Sequence, residues 1–171
     1  MKQTPSTSET APVQQEHLKE ISFFVNRLDC YYSLRLEALL MKHKLSPTLR
    51  PGMGPVLFAL FQAKEGMRIK ELGAVTDLAP SSITELLQRM EKRGLIKRSA
   101  DKTDGRAQII TLTPKGRSLE PGCRKLSKEL NEGMESPFSS DELTTFKTLW
   151  WKLIHHLMDE TASVKSGDKQ E

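Results

Sequence analysis

The segment from Arg68 to Leu95, RIKELGAVTDLAPSSITELLQRMEKRGL, constrains the fold more than any other part of the chain. Apolar residues recur in it at helical spacing in two runs. The first run predicts a helix from about Ile69 to Thr76. The second predicts one from Pro80, a favourable first-turn residue, to about Arg93, with Gly94 as the C-terminal cap. The joint Asp77-Leu78-Ala79-Pro80 is short enough to force the helices across one another, which is the helix-turn-helix arrangement. After Gly94 the period changes. Leu95-Ile96-Lys97-Arg98 and Gln108-Ile109-Ile110-Thr111-Leu112 read as strands around a turn-rich tip, Asp101-Lys102-Thr103-Asp104-Gly105, in which Asp104-Gly105 is a strong hairpin signal. A helix-turn-helix followed by a basic hairpin is the winged-helix plan.

The flanks read as helix. From Glu16 to about Lys44, Ile21, Val25, Leu28, Tyr32, Leu36, Leu39 and Leu40 form an amphipathic stripe that Ser46-Pro47 ends. A shorter helix runs from Val56 to about Ala63, closed by Gly66. Thr113-Pro114 reads as N-cap and first residue of another helix, which Pro121-Gly122 should kink or break. Ser139 and Glu142 fit a capping box that opens the last helix, whose apolar face carries Leu143, Phe146, Leu149, Trp150, Leu153, Ile154 and Leu157. Residues 1–15, rich in Thr, Ser, Pro and Gln, predict a disordered tail. Residues 163–171 predict a frayed one.

Charge supports a polyanion partner through its placement. The net charge is only +4 over 171 residues. Residues 88–117, however, hold nine basic residues (Arg89, Lys92, Arg93, Lys97, Arg98, Lys102, Arg106, Lys115, Arg117) against Glu91, Asp101 and Asp104. Residues 118–171 carry a net −3. The competing explanation of such a run is a solvated basic face. Other classes find less support. No apolar stretch is long enough to span a membrane, and no secretory h-region precedes the first helix. Two cysteines, Cys30 and Cys123, provide no disulfide framework and favour a reducing, cytoplasmic compartment. His17, His43, His155 and His156 do not form a metal-ligand spacing, so no metal or cofactor is expected. No nucleophile elbow, Gly-rich phosphate loop or motif-anchored His-carboxylate pair appears, so an enzyme is not expected.

Several motifs together resemble the MarR-type winged-helix transcription regulators: Ile69-Lys70-Glu71-Leu72, Ser81-Ser82-Ile83-Thr84, Leu86 through Ile96, Asp101 through Arg106, and Leu112-Thr113-Pro114-Lys115-Gly116. With the flanking helices the resemblance covers roughly residues 16–162. It implies a mainly α fold with a small β-hairpin wing. Residues 51–114 would be the DNA-binding winged helix-turn-helix, and 16–50 with 115–162 a helical dimerisation region in which the first and last helices form a homodimer. The implied function is a sequence-specific regulator, expected to be a repressor, that binds a pseudo-palindrome in double-stranded DNA and is released by a small phenolic or anionic ligand. The alternatives are a winged-helix protein-interaction module without DNA binding, and a Cys-based redox-sensing regulator.

The implied DNA contacts are Ser81, Ser82, Thr84, Gln88 and Arg89 on the recognition helix, Lys97 and Arg98 at phosphates, and Lys102 and Arg106 in the wing. Asp104 is expected to stiffen the wing. Gly105 departs from the Arg often found there. Glu85 departs too: it can accept from a cytosine amino group, repel phosphate, or pair with Arg89 four residues on, and the pair is favoured. Tyr32, Arg35, His43 and Met53 are the expected ligand-site residues. Cys30 is expected to be a buried structural thiol. Trp150 and Trp151 should face different sides, one of them packed.

Overall fold

A computed structural model describes residues 20–76, 78–101, 104 and 107–167; the expected N-terminal tail lies outside them. In chain order they form α1 (Ile21–Lys42), α2 (Gly54–Gln62), β1 (Met67–Arg68), α3 (Ile69–Thr76), α4 (Pro80–Lys92), β2 (Ile96–Ala100), β3 (Gln108–Leu112), α5 (Pro114–Ser118), α6 (Glu120–Glu135) and α7 (Ser140–Gly167). The chain divides into two compact units, one ending at Leu126 and the other beginning at Ser127.

The first unit is a winged helix. α3 and α4 pack against each other. The inward face of α4 (Ile83, Leu86, Leu87, Met90) is buried with Leu57, Leu60, Leu72, Leu95, Ile96 and Ile110. A side-chain period of 3.6 therefore separates a rooted face from a polar one. The sheet is antiparallel with order β1-β3-β2, and Ile96 pairs with Leu112 as Ala100 does with Gln108. β1 is absent from the sequence reading. Two residues are too few for a periodic signal, and their strand character comes from pairing Met67 with Ile110 and Arg68 with Ile109.

The end of α4 is locked from two directions. Gly94, at φ 70°, donates to the Glu91 carbonyl (2.8 Å), and Leu95 donates to that of Met90 (3.0 Å). This is a Schellman termination, which a glycine in the left-handed region permits without strain. The start of α5 then closes on it. The Thr113 hydroxyl donates to the Gly94 carbonyl (2.6 Å) while accepting from the Gly116 amide (3.0 Å). Lys115 Nζ donates to the Arg93 carbonyl (2.8 Å). Gly116 lies against Leu95, where an added Cβ would stand 2.1 Å from the carbonyl oxygen.

Three boundaries differ from expectation. α1 stops at Lys42, ahead of Ser46-Pro47, because Lys44 adopts φ 56° and Leu45 and Ser46 both donate to the Leu40 carbonyl. The break near Pro121-Gly122 falls at Leu119, between α5 and α6, and Pro121 sits in the first turn of α6, where its missing N–H costs nothing. α7 continues through Gly167, past the expected fraying point.

In the second unit the Ser139–Glu142 capping box forms. Glu142 Oε2 accepts from the Ser139 amide (2.9 Å) and hydroxyl (2.7 Å), and the Glu142 amide donates back to the Ser139 hydroxyl (3.4 Å). Phe138, Phe146 and Trp150 stack in series with centroids 5.2 and 5.6 Å apart. Trp151 points elsewhere, is exposed, and meets His155 edge-on at 4.8 Å.

Two outcomes follow from these contacts. Gly116→Ala should destabilise folding by at least about 2 kcal/mol, because a backbone carbonyl cannot step aside. Thr113→Val should cost about 1 kcal/mol through the lost cap. Urea titration of both variants checks the order. The backbone amide and hydroxyl of Ser139 hold the Glu142 carboxyl below its ordinary pKa. A depressed acid contributes stability that is present above its unfolded pKa and lost as pH falls through the folded one. The unfolding midpoints of the wild type and Ser139→Ala should therefore converge on acidification through the carboxylate range, as followed by circular dichroism.

Candidate nucleic-acid interface

α4 presents Ser81, Ser82, Thr84, Glu85, Gln88 and Arg89 to solvent, on the side opposite its buried face. These are the residues the periodicity places outward. The Thr84 hydroxyl donates to the Pro80 carbonyl (2.8 Å), so its lone pairs remain as acceptors while its proton is held by the helix. Among the described residues, Glu85 and Arg89 form no ion pair with each other, contrary to the favoured expectation. The helix's other acid in this region, Glu91, is the one that pairs: its Oε2 accepts from Arg98 Nε at 2.9 Å.

That pair changes the standing of Arg98. Its side chain is only 20% exposed, and its Nη2 is buried without a partner among the described residues. Arg98 thus ties β2 to α4, whereas Lys97, pointing the other way along the strand, is exposed. The basic run sorts in the same manner. Arg93 Nη1 donates to the Pro47 carbonyl (2.6 Å), Arg117 Nη1 to that of Phe61 (2.9 Å), and Lys115 to that of Arg93. Arg89, Lys92 and Lys97 are exposed and make no such contact among the described residues. Lys102 and Arg106 lie outside the described residues.

The base of the wing holds a contact that sequence reasoning missed. Arg68 Nε donates to Asp101 Oδ2 at 2.7 Å, and Arg68 Nη2 reaches the same oxygen. The Asp101 side chain is 9% exposed. The hydrogen bond that Arg68 donates to Asp101, reinforced by the carboxylate's charge, raises the Arg68 pKa. The Arg68 amide donates to Glu71 Oε2 (2.8 Å), so one residue joins β1, the start of α3 and the root of the wing. Across the hairpin, Asp101 donates its amide to the Ala107 carbonyl (3.0 Å), and Ala107 donates to that of Asp104 (2.8 Å). Asp104, the expected stiffener, is exposed. Its charge is a smaller contribution to the raised Arg68 pKa. Sequence offers only an acid after the end of β2 and an Arg 33 residues earlier; their proximity depends on β1.

The four expected ligand residues are not alike. Tyr32 and Arg35 are exposed on α1, His43 is half-buried, and Met53 is core at 2% exposure. A surface cavity of about 520 Å³ is lined instead by Pro55, Phe58, Ala59, Gln62, Met67 and Val75. Another of about 610 Å³ lies on α7 beside Phe146, Trp150, Trp151 and Ile154. Cys30 is exposed rather than buried, because this turn of α1 has no covering element within its unit. Arg27 lies over the Tyr31 ring, 5.3 Å from its centroid. Cys123 is buried, and desolvation pushes its thiol pKa up. Among the described residues no group of three or more His, Cys, Asp or Glu is placed to hold a metal ion, and no helix is long and apolar enough to cross a membrane.

The class this geometry defines is a winged helix whose second helix, α4, turns a polar face outward, and known proteins share its features. Residues 56–107 match the model of the MarR family. The regulator SarZ of Staphylococcus haemolyticus, an HTH-type transcriptional regulator, is 31% identical over 103 residues, covering 60% of this chain and 65% of SarZ. The chain thus spans slightly less than two thirds of that relative. The fold is that of MepR from S. aureus, solved as a DNA complex (TM-score 0.72, 19% identity, 80% of this chain and 98% of MepR). It is also that of PcaV from Streptomyces coelicolor, solved with its natural ligand (TM-score 0.68, 23% identity, 88% of this chain and 98% of PcaV). Residues 56–107, which hold most of the motifs named above, are thus similar to the MarR family, and the fold is one that solved regulators share.

The Arg68–Asp101 pair generates a direct test. Asp101→Asn should speed hydrogen exchange at the backbone amides of position 101 and of Ala107 while leaving the α4 core amides unchanged. Exchange identical to wild type at both positions would remove the pair's role in holding the wing.

Proposed function

We propose that the chain is a sequence-specific, double-stranded DNA-binding transcription regulator that acts as a homodimer on a pseudo-palindrome. The carrying observation is the polar ridge of α4 (Ser81, Ser82, Gln88, Arg89), fixed from behind by four buried side chains. A helix so rooted fits a major groove about 12 Å wide. Lys97 from β2 lies beside it as a phosphate contact, with Lys102 and Arg106 supplying the wing's charges and Asp104 stiffening it. The DNA in the MepR structure and the regulator name of SarZ support the same reading.

Homodimerisation is supported by exposed apolar residues on α1, among them Ile21, Phe24, Leu28, Tyr31 and Leu34. Repression is the proposed mode. Release by a small phenolic or anionic ligand is proposed by analogy with ligand-bound PcaV, with Tyr32, Arg35 and His43 near the ligand and Met53 shaping the floor. The chain is proposed to have no enzymatic activity and to work in the cytoplasm.

Selection from random duplexes should enrich a palindrome whose half-sites lie about one helical turn apart. The logarithm of affinity should fall steeply with that of salt concentration. Arg89→Ala and Arg106→Ala should each weaken binding at least about tenfold, with the dimer intact by light scattering. A shallow salt slope and no enriched palindrome would favour a protein-interaction module instead.

A further inference from the structure

The recognition helix carries two acids, and the structure treats them differently. Glu91 is held by Arg98 at 2.9 Å and belongs to the scaffold. Glu85 is exposed and has no ion-pair or hydrogen-bond partner among the described residues, although Arg89 stands four residues on. At about 100° per residue, Glu85 falls with Ser81, Gln88 and Lys92 on the line opposite the buried face. It therefore sits at the centre of the outward ridge, rather than at its margin where a phosphate contact would be made.

An unpaired carboxylate at that place is repelled by every phosphate it approaches. The repulsion is offset only where the carboxylate meets a hydrogen-bond donor, and the donors in a major groove are exocyclic amino groups. Cytosine N4 is the one that Glu accepts from most naturally, whereas Gln pairs with adenine. We infer that Glu85 is a specificity-determining residue, selecting a cytosine at one position of each half-site and lowering the hold on all other DNA. This rests on the DNA-binding reading above. It makes Glu85 act in two directions at once, with one attractive partner and many repulsive ones.

The test compares the wild-type chain, Glu85→Gln and Glu85→Ala by selection from random duplexes. Anisotropy titrations then follow on the selected duplex, on the same duplex with the chosen C·G pair replaced, and on a non-cognate duplex. The wild type should enrich C·G at one position per half-site. Glu85→Ala should lose the preference at that position alone. Glu85→Gln should shift it toward adenine, and both variants should bind non-cognate DNA at least about fivefold more tightly. Base preferences unchanged at every position in both variants would overturn the inference, whatever happens to non-cognate affinity. Failure of the parent reading looks different: the wild type itself would enrich no palindrome. Because the site is a solvent-facing turn of α4, matching thermal melts show that the variants fold.

Discussion

The position of α4 depends on where it stops, and the stop is made by the closure of Thr113-Pro114-Lys115-Gly116 on Arg93-Gly94-Leu95. Three successive carbonyls at the helix end would otherwise need water. Lys115 takes that of Arg93, the Thr113 hydroxyl that of Gly94, and the Thr113 amide that of Leu95. Each bond alone is worth about 1 kcal/mol. Together they determine where β2 begins, because Leu95 immediately precedes it. They also position α5, whose Gly116 allows contact with the Leu95 backbone that no side chain would permit. The recognition helix, the wing and the helix that leaves the wing thus share one fastening.

The second constraint is charge. A run of nine cations in thirty residues looks like an undivided footprint for a polyanion. Much of it is scaffold. Arg93 holds the turn at Pro47, Arg98 holds Glu91, and Arg117 holds the end of α2. A guanidinium suits such work because it offers several donors in a fixed plane to backbone carbonyls. The cations left outward within the described residues, Arg89, Lys92 and Lys97, lie on α4 and at the start of β2. The concentration of charge along the chain does not by itself say which cations are held by the scaffold and which face outward.

The same division explains what could be read from the sequence. α3 and α4 were legible to within a residue or two because their apolar period, Pro80 and Gly94 are local signals. β3 was legible for the same reason, as was the outward face of α4. What stayed hidden required a partner distant in the chain. β1 exists only by pairing with β3, and the Arg68–Asp101 contact exists only because of β1. The Glu85–Arg89 pair failed in the opposite way. Its spacing permits contact, but exposed i,i+4 pairs are worth only about 0.3–0.5 kcal/mol, too little to compel one. Cys30, expected as a buried thiol, is exposed, because much of α1 is uncovered within its own unit and local sequence does not report such cover.

That uncovered surface bears on how the two units achieve stability. In the first unit the buried apolar side chains run from Leu39 and Leu40 at the end of α1 through β3, joined by Cys123 and Leu126 on α6. The earlier turns of α1 leave Phe24, Leu28 and Leu34 in solvent. In the second unit no described side chain of α7 is fully buried, and Leu149, Trp151 and Leu157 are exposed along it. Helices of 22 and 28 residues are held chiefly by packing of an apolar face rather than by propensity. Each of these faces is incomplete in a single chain. A second copy covering either face, as in the proposed homodimer, would turn a weakly supported helix into a well supported one. Pairing through α1 would also set two copies of α4 at a fixed spacing, which the proposed half-site pattern calls for.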